Sequence, residues 1–166
     1  MCAIMVSVIK MVKVLFVCLG NICRSPMAEG LFRKRVKDLG LDNMIQIESR
    51  GTSTYTVGKP PHPGTKEVLL EHDALFADMK AERITKQDFS MYDFIIGMDD
   101  MNMRDLKSLA GHHIHKLYKY LEICEDCNGR DIEDPYYTGQ FDVTYQDLML
   151  GINKWIDIFK KHANLN

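Results

Sequence analysis

Short apolar runs and amphipathic stretches alternate along the chain. Residues 13–17 (KVLFV) form a β-rich apolar run stopped by a glycine-containing turn, the pattern of a strand covered on both faces. Ser25-Pro26 then reads as a helix start, because serine caps well and proline is tolerated in the first turn. Over 27–39 the residues Met27, Leu31, Val36 and Leu39 share one helical face, Arg33, Lys34 and Lys37 lie outside it, and Gly40 ends the helix. A second strand is predicted over 45–49, followed by a loop over 51–63 dense in Thr, Gly and Pro, and a helix over 65–71. Residues 92–98 (YDFIIGM) predict a third strand and 101–109 a helix after it. The stretch 114–123 is ambiguous, with a strand expected at its start. A long closing helix is predicted over 141–163, where Leu148, Ile152, Trp155, Ile156 and Phe159 recur at helical spacing.

Strand and helix in alternation imply one doubly wound α/β domain, a four-stranded parallel sheet with helices on both faces, since right-handed crossovers force that arrangement. Ligands in such folds bind beyond the carboxyl ends of the strands, where the loop 18–25 leaves strand one. The 166 residues suffice for a core without disulfide or metal support, and the expected division is a tail of unknown role over 1–10 and a domain over 11–166, with Met11 an alternative start. A formal net charge of −2 gives no basic footprint for nucleic acid or an anionic membrane. Five cysteines are too few, and odd in number, for a disulfide framework. The opening MCAIMVSVIK lacks the basic region and cleavage site of a signal peptide, so the expected location is cytoplasmic.

The candidate chemistry lies in 16–26, FVCLGNICRSP. If the loop over Leu19, Gly20, Asn21, Ile22 and Cys23 turns its N–H groups inward, it makes an anion nest, to which the helix beginning near Ser25 adds its positive end. Such a field favours a thiolate at Cys18, and Arg24 becomes a clamp on the bound anion. Spacing alone is weak evidence, because Cys124 and Arg130 repeat it. That second match carries two acids in its turn, Glu125 and Asp126, and more after it instead of a helix start. It reads as a decoy.

The run VCLGNICRSP, together with Asp134-Pro135-Tyr136-Tyr137 far downstream, is similar to the low-molecular-weight protein tyrosine phosphatases, in their bacterial form, over about 12–163. Weaker matches are Ser49, Gly58, Pro60, Met98-Asp99 and Asn102. The resemblance implies a phosphoric monoester hydrolase acting on tyrosine-phosphorylated proteins through a phosphocysteine on Cys18, with Arg24 gripping two phosphate oxygens and Asp134 as general acid and then base. It implies that Ser25 hydrogen-bonds the sulfur, that Asn21 and Ser49 support the loop, and that Cys23 is a redox partner able to form a disulfide with Cys18. Tyr136 and Tyr137 become one wall of a slot for a phenyl ring, and Tyr55 is the candidate for the opposite wall. No metal or cofactor is implied, since the loop and Arg24 supply the charge stabilisation. Either Tyr136 or Tyr137 is open to a kinase as a further partner.

Three rival readings stand beside this one. A protein arginine phosphatase resembles the family with Thr in place of Ile22, and Ile22 suits an aromatic ring better. A thiol-coupled arsenate reductase needs resolving cysteines about 70–80 residues after the nucleophile by that resemblance, where this chain has none. From another class, Cys124 and Cys127 with His112, His113 and His115 suggest a metal or redox-sensing module, although the spacing is loose for structural zinc and a free or adventitiously oxidised cysteine pair is the simpler expectation.

Overall fold

The structure, a computed structural model, describes residues 10–165. Of the tail expected over 1–10, all but Lys10 lies outside the described residues. The strands β1 (Val12–Cys18), β2 (Ile45–Gly51), β3 (Phe94–Gly97) and β4 (Leu117–Lys119) form one sheet in the order β2-β1-β3-β4. Every neighbouring pair is parallel, and the register sets Val14 against Ile47 on one side and Phe94 on the other.

Alternation along β1 explains the layers. Val14, Phe16 and Cys18 point into the larger core with Phe32, Tyr120, Trp155 and Phe159, whereas Leu15 and Val17 meet Phe89, Ile95 and Leu106 on the other face. The first core is closed by α1 (Arg24–Asp38), α2 (Pro63–Glu71) and α6 (Phe141–His162), the second by α3 (Lys86–Met91) and α4 (Asp100–Ala110). Aromatic rings fill the thicker layer: Phe16 and Phe32 stand 4.6 Å apart, and the buried Trp155 indole donates to the Tyr120 carbonyl at 3.1 Å.

Several boundaries differ from the sequence reading. The first helix starts at Arg24, one residue before the start read at Ser25-Pro26, because the turn 19–23 hands the chain directly into helical geometry with Cys23 as its cap position. In the ambiguous stretch the strand lies in the middle, at Leu117–Lys119, after a 3-10 turn over Gly111–Lys116. Helix α3 had not been expected, although Thr85 and Asp88 form a capping box around it. Cys124 and Cys127 are joined by a disulfide, the oxidised one of the two forms expected for the pair, and among the described residues no group of three or more His, Cys, Asp or Glu is placed to hold a metal ion. The decoy is resolved as well, since Arg130 makes a two-pronged ion pair with Asp147 at 2.7 and 3.1 Å.

Chain direction positions the site. From β1 the chain runs to β2 on one side and later returns to β3 on the other, so the connections leaving β1 and β3 diverge and open a crevice at their carboxyl ends. Gly51, at the end of β2, backs onto the β1 connection so closely that a Cβ there would sit 2.8 Å from the Leu19 carbonyl oxygen and 3.1 Å from the Asn21 nitrogen. Those atoms are backbone and cannot swing aside. Gly51→Ala is therefore expected to cost about 1–3 kcal/mol in urea unfolding, the range for forced overpacking, and an unchanged stability would contradict this contact.

Candidate active site

The connection after β1 is shaped by its carbonyls. The Cys18 and Leu19 oxygens accept from the N–H groups of Thr52 and Ser53 at 3.0 and 2.9 Å, and the Ile22 oxygen accepts from His62 N–H at 2.8 Å. The Thr56 hydroxyl donates to the Gly20 carbonyl and the Thr65 hydroxyl to that of Cys23. With these carbonyls tied outward, the N–H groups of residues 19–23 are left over, and none of them donates to a backbone carbonyl. They are joined by the open N-terminus of α1, whose first turn contains no acid and whose cap makes no side-chain hydrogen bond. Orphaned donors at a helix start form an anion site.

Asn21 holds the turn from within. Its φ of 55° lies in the left-handed region, which asparagine tolerates better than most residues. Its amide nitrogen donates to Ser25 Oγ at 2.8 Å and Ser49 Oγ at 2.9 Å, and its amide oxygen accepts from the Glu82 N–H at 2.9 Å. Ser25 Oγ stands 3.0 Å from the Cys18 sulfur.

Arg24 is 1% exposed. Its Nη1 donates to Asp99 Oδ2 at 2.6 Å and to the Ile132 carbonyl at 2.9 Å, while Nη2 reaches Asp134 Oδ2 at 3.3 Å. Its Nε is buried without a partner. Burial pulls the guanidinium pKa down, but Cys18, Asp134 and Asp99 together outweigh that and hold it above its ordinary value. Asp99 is placed by its own task, since its other oxygen caps α4 by accepting from Asn102 N–H at 2.7 Å. Asp134 likewise caps the short helix α5 (Pro135–Thr138) through the Tyr136 N–H at 3.1 Å, and the Ile132 N–H ties this segment to the Met98 carbonyl at the end of β3.

Above the loop lies a slot of about 380 Å³. Cys18, 2% exposed, lies at its closed end, and Asp134, Tyr136, Tyr137 and Tyr55 line it further out. Tyr55, Tyr136 and Tyr137 are 92%, 59% and 76% exposed at the rim, where Tyr136 and Tyr137 meet edge-to-face at 5.2 Å. Cys18, Asp134, the three tyrosines and the turn 19–23 thus meet in one place, while Ser49 stands behind the turn. The sequence reading did not assign Asp99 a partner, nor identify the carbonyl of Ile132, Lys59 on the slot wall, or the tethers from Thr52, Ser53, Thr56, His62 and Thr65. Only Asp99 carried a signal, its position just past the third strand.

Residues 13–165 match the family described as low molecular weight phosphotyrosine protein phosphatase. The chain belongs to this family. It is 41% identical over 159 residues to the low molecular weight protein-tyrosine-phosphatase YfkJ of Bacillus subtilis, covering 93% of this chain and 100% of that one. It is also 41% identical to PtpA of Staphylococcus aureus, named in the same way, over 155 residues that cover 93% and 98% of the two chains. The crystal structure of YfkJ superposes with a TM-score of 0.88 at 40% identity, over 92% of this chain and 97% of that one. A Drosophila arginine phosphatase shares the fold with a TM-score of 0.81 at 29% identity, over 89% and 98%. Among the described residues of this family member, no helix is long and apolar enough to cross a membrane.

Two further groups are displaced from their ordinary pKa values. Burial pushes the Cys23 thiol up to about 12, helped by Cys18 and Asp134 and opposed by Arg24. Burial also raises Glu29, 4% exposed on α1, to about 7; Arg33 opposes this, Glu48 adds to it, and the Ser49 hydroxyl opposes it through a hydrogen bond. A carboxyl with a raised folded-state pKa binds its proton more tightly when folded, so its contribution to stability is lost as pH rises from about 4.5 to about 7. The cost above pH 7 is about 3 kcal/mol. Urea unfolding at about pH 5 and about pH 8 should show wild type losing on the order of that amount while Glu29→Gln does not; parallel pH dependence in the two proteins would refute it.

Proposed function

We propose that the chain hydrolyses phosphotyrosine in proteins in two displacements, with Cys18 as nucleophile, Arg24 as phosphate clamp and Asp134 as general acid and then base. The observation that carries this reading is the convergence of the unpaired N–H groups of 19–23 with the Cys18 sulfur at the closed end of a slot rimmed by tyrosines. The donors match the equatorial oxygens of a tetrahedral phosphoryl group, and the slot matches a flat ring whose ester oxygen lies toward Asp134.

Arg24 has two unequal sides. Nη1 is fixed by Asp99 and Ile132, whereas Nε has no partner and Nη2 has only the longer contact to Asp134. The Nε–Nη2 edge is therefore the one that receives two phosphate oxygens in a bidentate fork. As Nη2 turns to phosphate, the Asp134 carboxyl is released toward the leaving oxygen.

In the first step the Cys18 thiolate forms a bond to phosphorus, the bond from phosphorus to the phenolic oxygen breaks, and Asp134 gives that oxygen its proton. In the second step Asp134 takes a proton from water, the water oxygen bonds to phosphorus, and the phosphorus–sulfur bond breaks to release orthophosphate. Ser25 Oγ, 3.0 Å from the sulfur, donates to the departing thiolate. Asn21 and Ser49 keep Ser25 in place, and Tyr55, Tyr136 and Tyr137 grip the ring.

A reducing, cytoplasmic setting suits Cys18 and Cys23, both free thiols. When a peroxide oxidises Cys18 to its sulfenic acid, the Cys23 thiol displaces the hydroxyl from that sulfur as water, closing a disulfide that shields Cys18 from further oxidation. The exposed hydroxyls of Tyr136 and Tyr137 are open to a kinase, whose phosphate at this rim would repel an incoming phosphoprotein.

Steady-state assays of reduced protein against an aryl phosphate, phosphotyrosine, phosphoserine and phosphoarginine test this reading. Turnover of the aryl and tyrosyl esters, loss of it in Cys18→Ser and a fall in kcat of about 10²–10⁴-fold in Asp134→Ala are expected. Preference for phosphoarginine would overturn the substrate, and no turnover by folded, reduced protein would overturn the reaction.

A further inference from the structure

Lys119 ends the edge strand β4, yet it is only 9% exposed. An ammonium so covered has to be matched by acceptors. Its Nζ donates to Asp100 Oδ1 at 2.8 Å and to the Gly129 carbonyl, and it forms an ion pair with Asp131 Oδ1 at 2.8 Å. Burial pulls the ammonium pKa down, but Asp100 and Asp131 outweigh that and hold it above its ordinary value. Burial likewise pushes the Asp131 carboxyl up, and Lys119 with the Asp100 N–H outweighs it and holds the carboxyl below its ordinary value.

These acceptors are the chain neighbours of the groups on Arg24. Asp100 follows Asp99 and Asp131 precedes Ile132, so the two stretches that meet on Arg24 meet again, one residue along, on Lys119. The Asp100 N–H joins them directly by donating to Asp131 Oδ1 at 3.0 Å. Arg130, between Gly129 and Asp131, ties the same segment to Asp147 of α6 instead. Both the Asp100 and Asp131 carboxylates lie 2.8 Å from the same nitrogen, so without Lys119 two like charges would face each other across the junction and push α4 and the acid segment apart.

The two cations have different duties. When Nη2 of Arg24 turns to phosphate, Asp134 loses its 3.3 Å contact and keeps only the Tyr136 N–H of its own segment. Its aim then depends on how firmly the residues just before it are held. Neither Lys119 nor Asp131 lines the slot, so no phosphate competes for their junction. We propose that Lys119 is a positioning residue for the phosphatase reaction, clasping the start of α4 to residues 129–131 and so keeping Asp134 aimed at the leaving oxygen while Arg24 is engaged by phosphate. A general acid displaced by about 1 Å can lose about 10²-fold in rate, so a clasp outside the slot has a large effect within it.

The proposal rests on the phosphatase reading, and its test separates the two. A misplaced general acid slows an ester whose phenolate leaves poorly and spares one whose phenolate leaves unaided. In Lys119→Met, kcat/KM should fall about 10–100-fold for phenyl phosphate and less than about 3-fold for 2,4-dinitrophenyl phosphate. Adding Asp131→Asn to Lys119→Met removes one of the opposed charges and should recover part of the loss on phenyl phosphate. An equal fall for both esters, no fall for either, or a double variant as impaired as the single overturns the proposal. Hydrogen exchange without substrate, followed by peptide mass, should be faster in Lys119→Met over 129–138 and unchanged over 18–25. Unchanged exchange over 129–138, or exchange raised in both peptides, also overturns it. If no ester is turned over, the phosphatase reading fails while the exchange still decides whether Lys119 holds the segment.

Discussion

A guanidinium removed from water has to be paired, and Arg24 at 1% exposure draws three separate stretches of chain to one point. Asp99 arrives from the connection after β3, Ile132 and Asp134 from the segment leading into α5, and Arg24 itself from the first turn of α1. Removing any acceptor leaves part of a buried cation unpaired, which is far more costly than losing a surface ion pair. The order β2-β1-β3-β4 matters chiefly because it opens the crevice where these stretches can meet. The unpartnered Nε is what the arrangement leaves for an anion to complete.

A second set of constraints holds the anion loop from behind. Outward tethers on the carbonyls of Cys18, Leu19, Gly20, Ile22 and Cys23 turn the N–H groups inward, and Asn21 supplies the left-handed residue that so tight a turn needs. Donors fixed before a ligand arrives cost nothing to reorganise when negative charge develops, the general source of electrostatic catalysis.

Legibility of the sequence followed the range of the interactions involved. β1 and β3 stood out because buried parallel strands are continuous apolar runs, β2 because Ile45 and Ile47 alternate with polar residues on an edge strand, and 141–163 because a long helix repeats its apolar face many times. The edge strand Leu117–Lys119 is only three residues long and follows a histidine-rich 3-10 turn, so it offers no periodicity to read. Helix α3, at six residues, is likewise too short for an amphipathic pattern. Cys18, Arg24 and the turn between them were visible because their spacing is local. The tethers from Thr52, His62 and Thr65 and the Asp99 contact depend on residues brought together from far apart, 42 positions for Thr65 and 75 for Asp99, which no local pattern records.

The central claim is that the loop presents Cys18 to phosphorus as a nucleophile. Protein quenched in acid during turnover of an aryl phosphate, digested and analysed by mass spectrometry, tests it most directly. The account predicts that the peptide carrying Cys18 gains one phosphoryl group, labile to added thiol and absent when the substrate is omitted. Turnover at the normal rate with no phosphoryl group on Cys18, or with the group on any other residue, would contradict it.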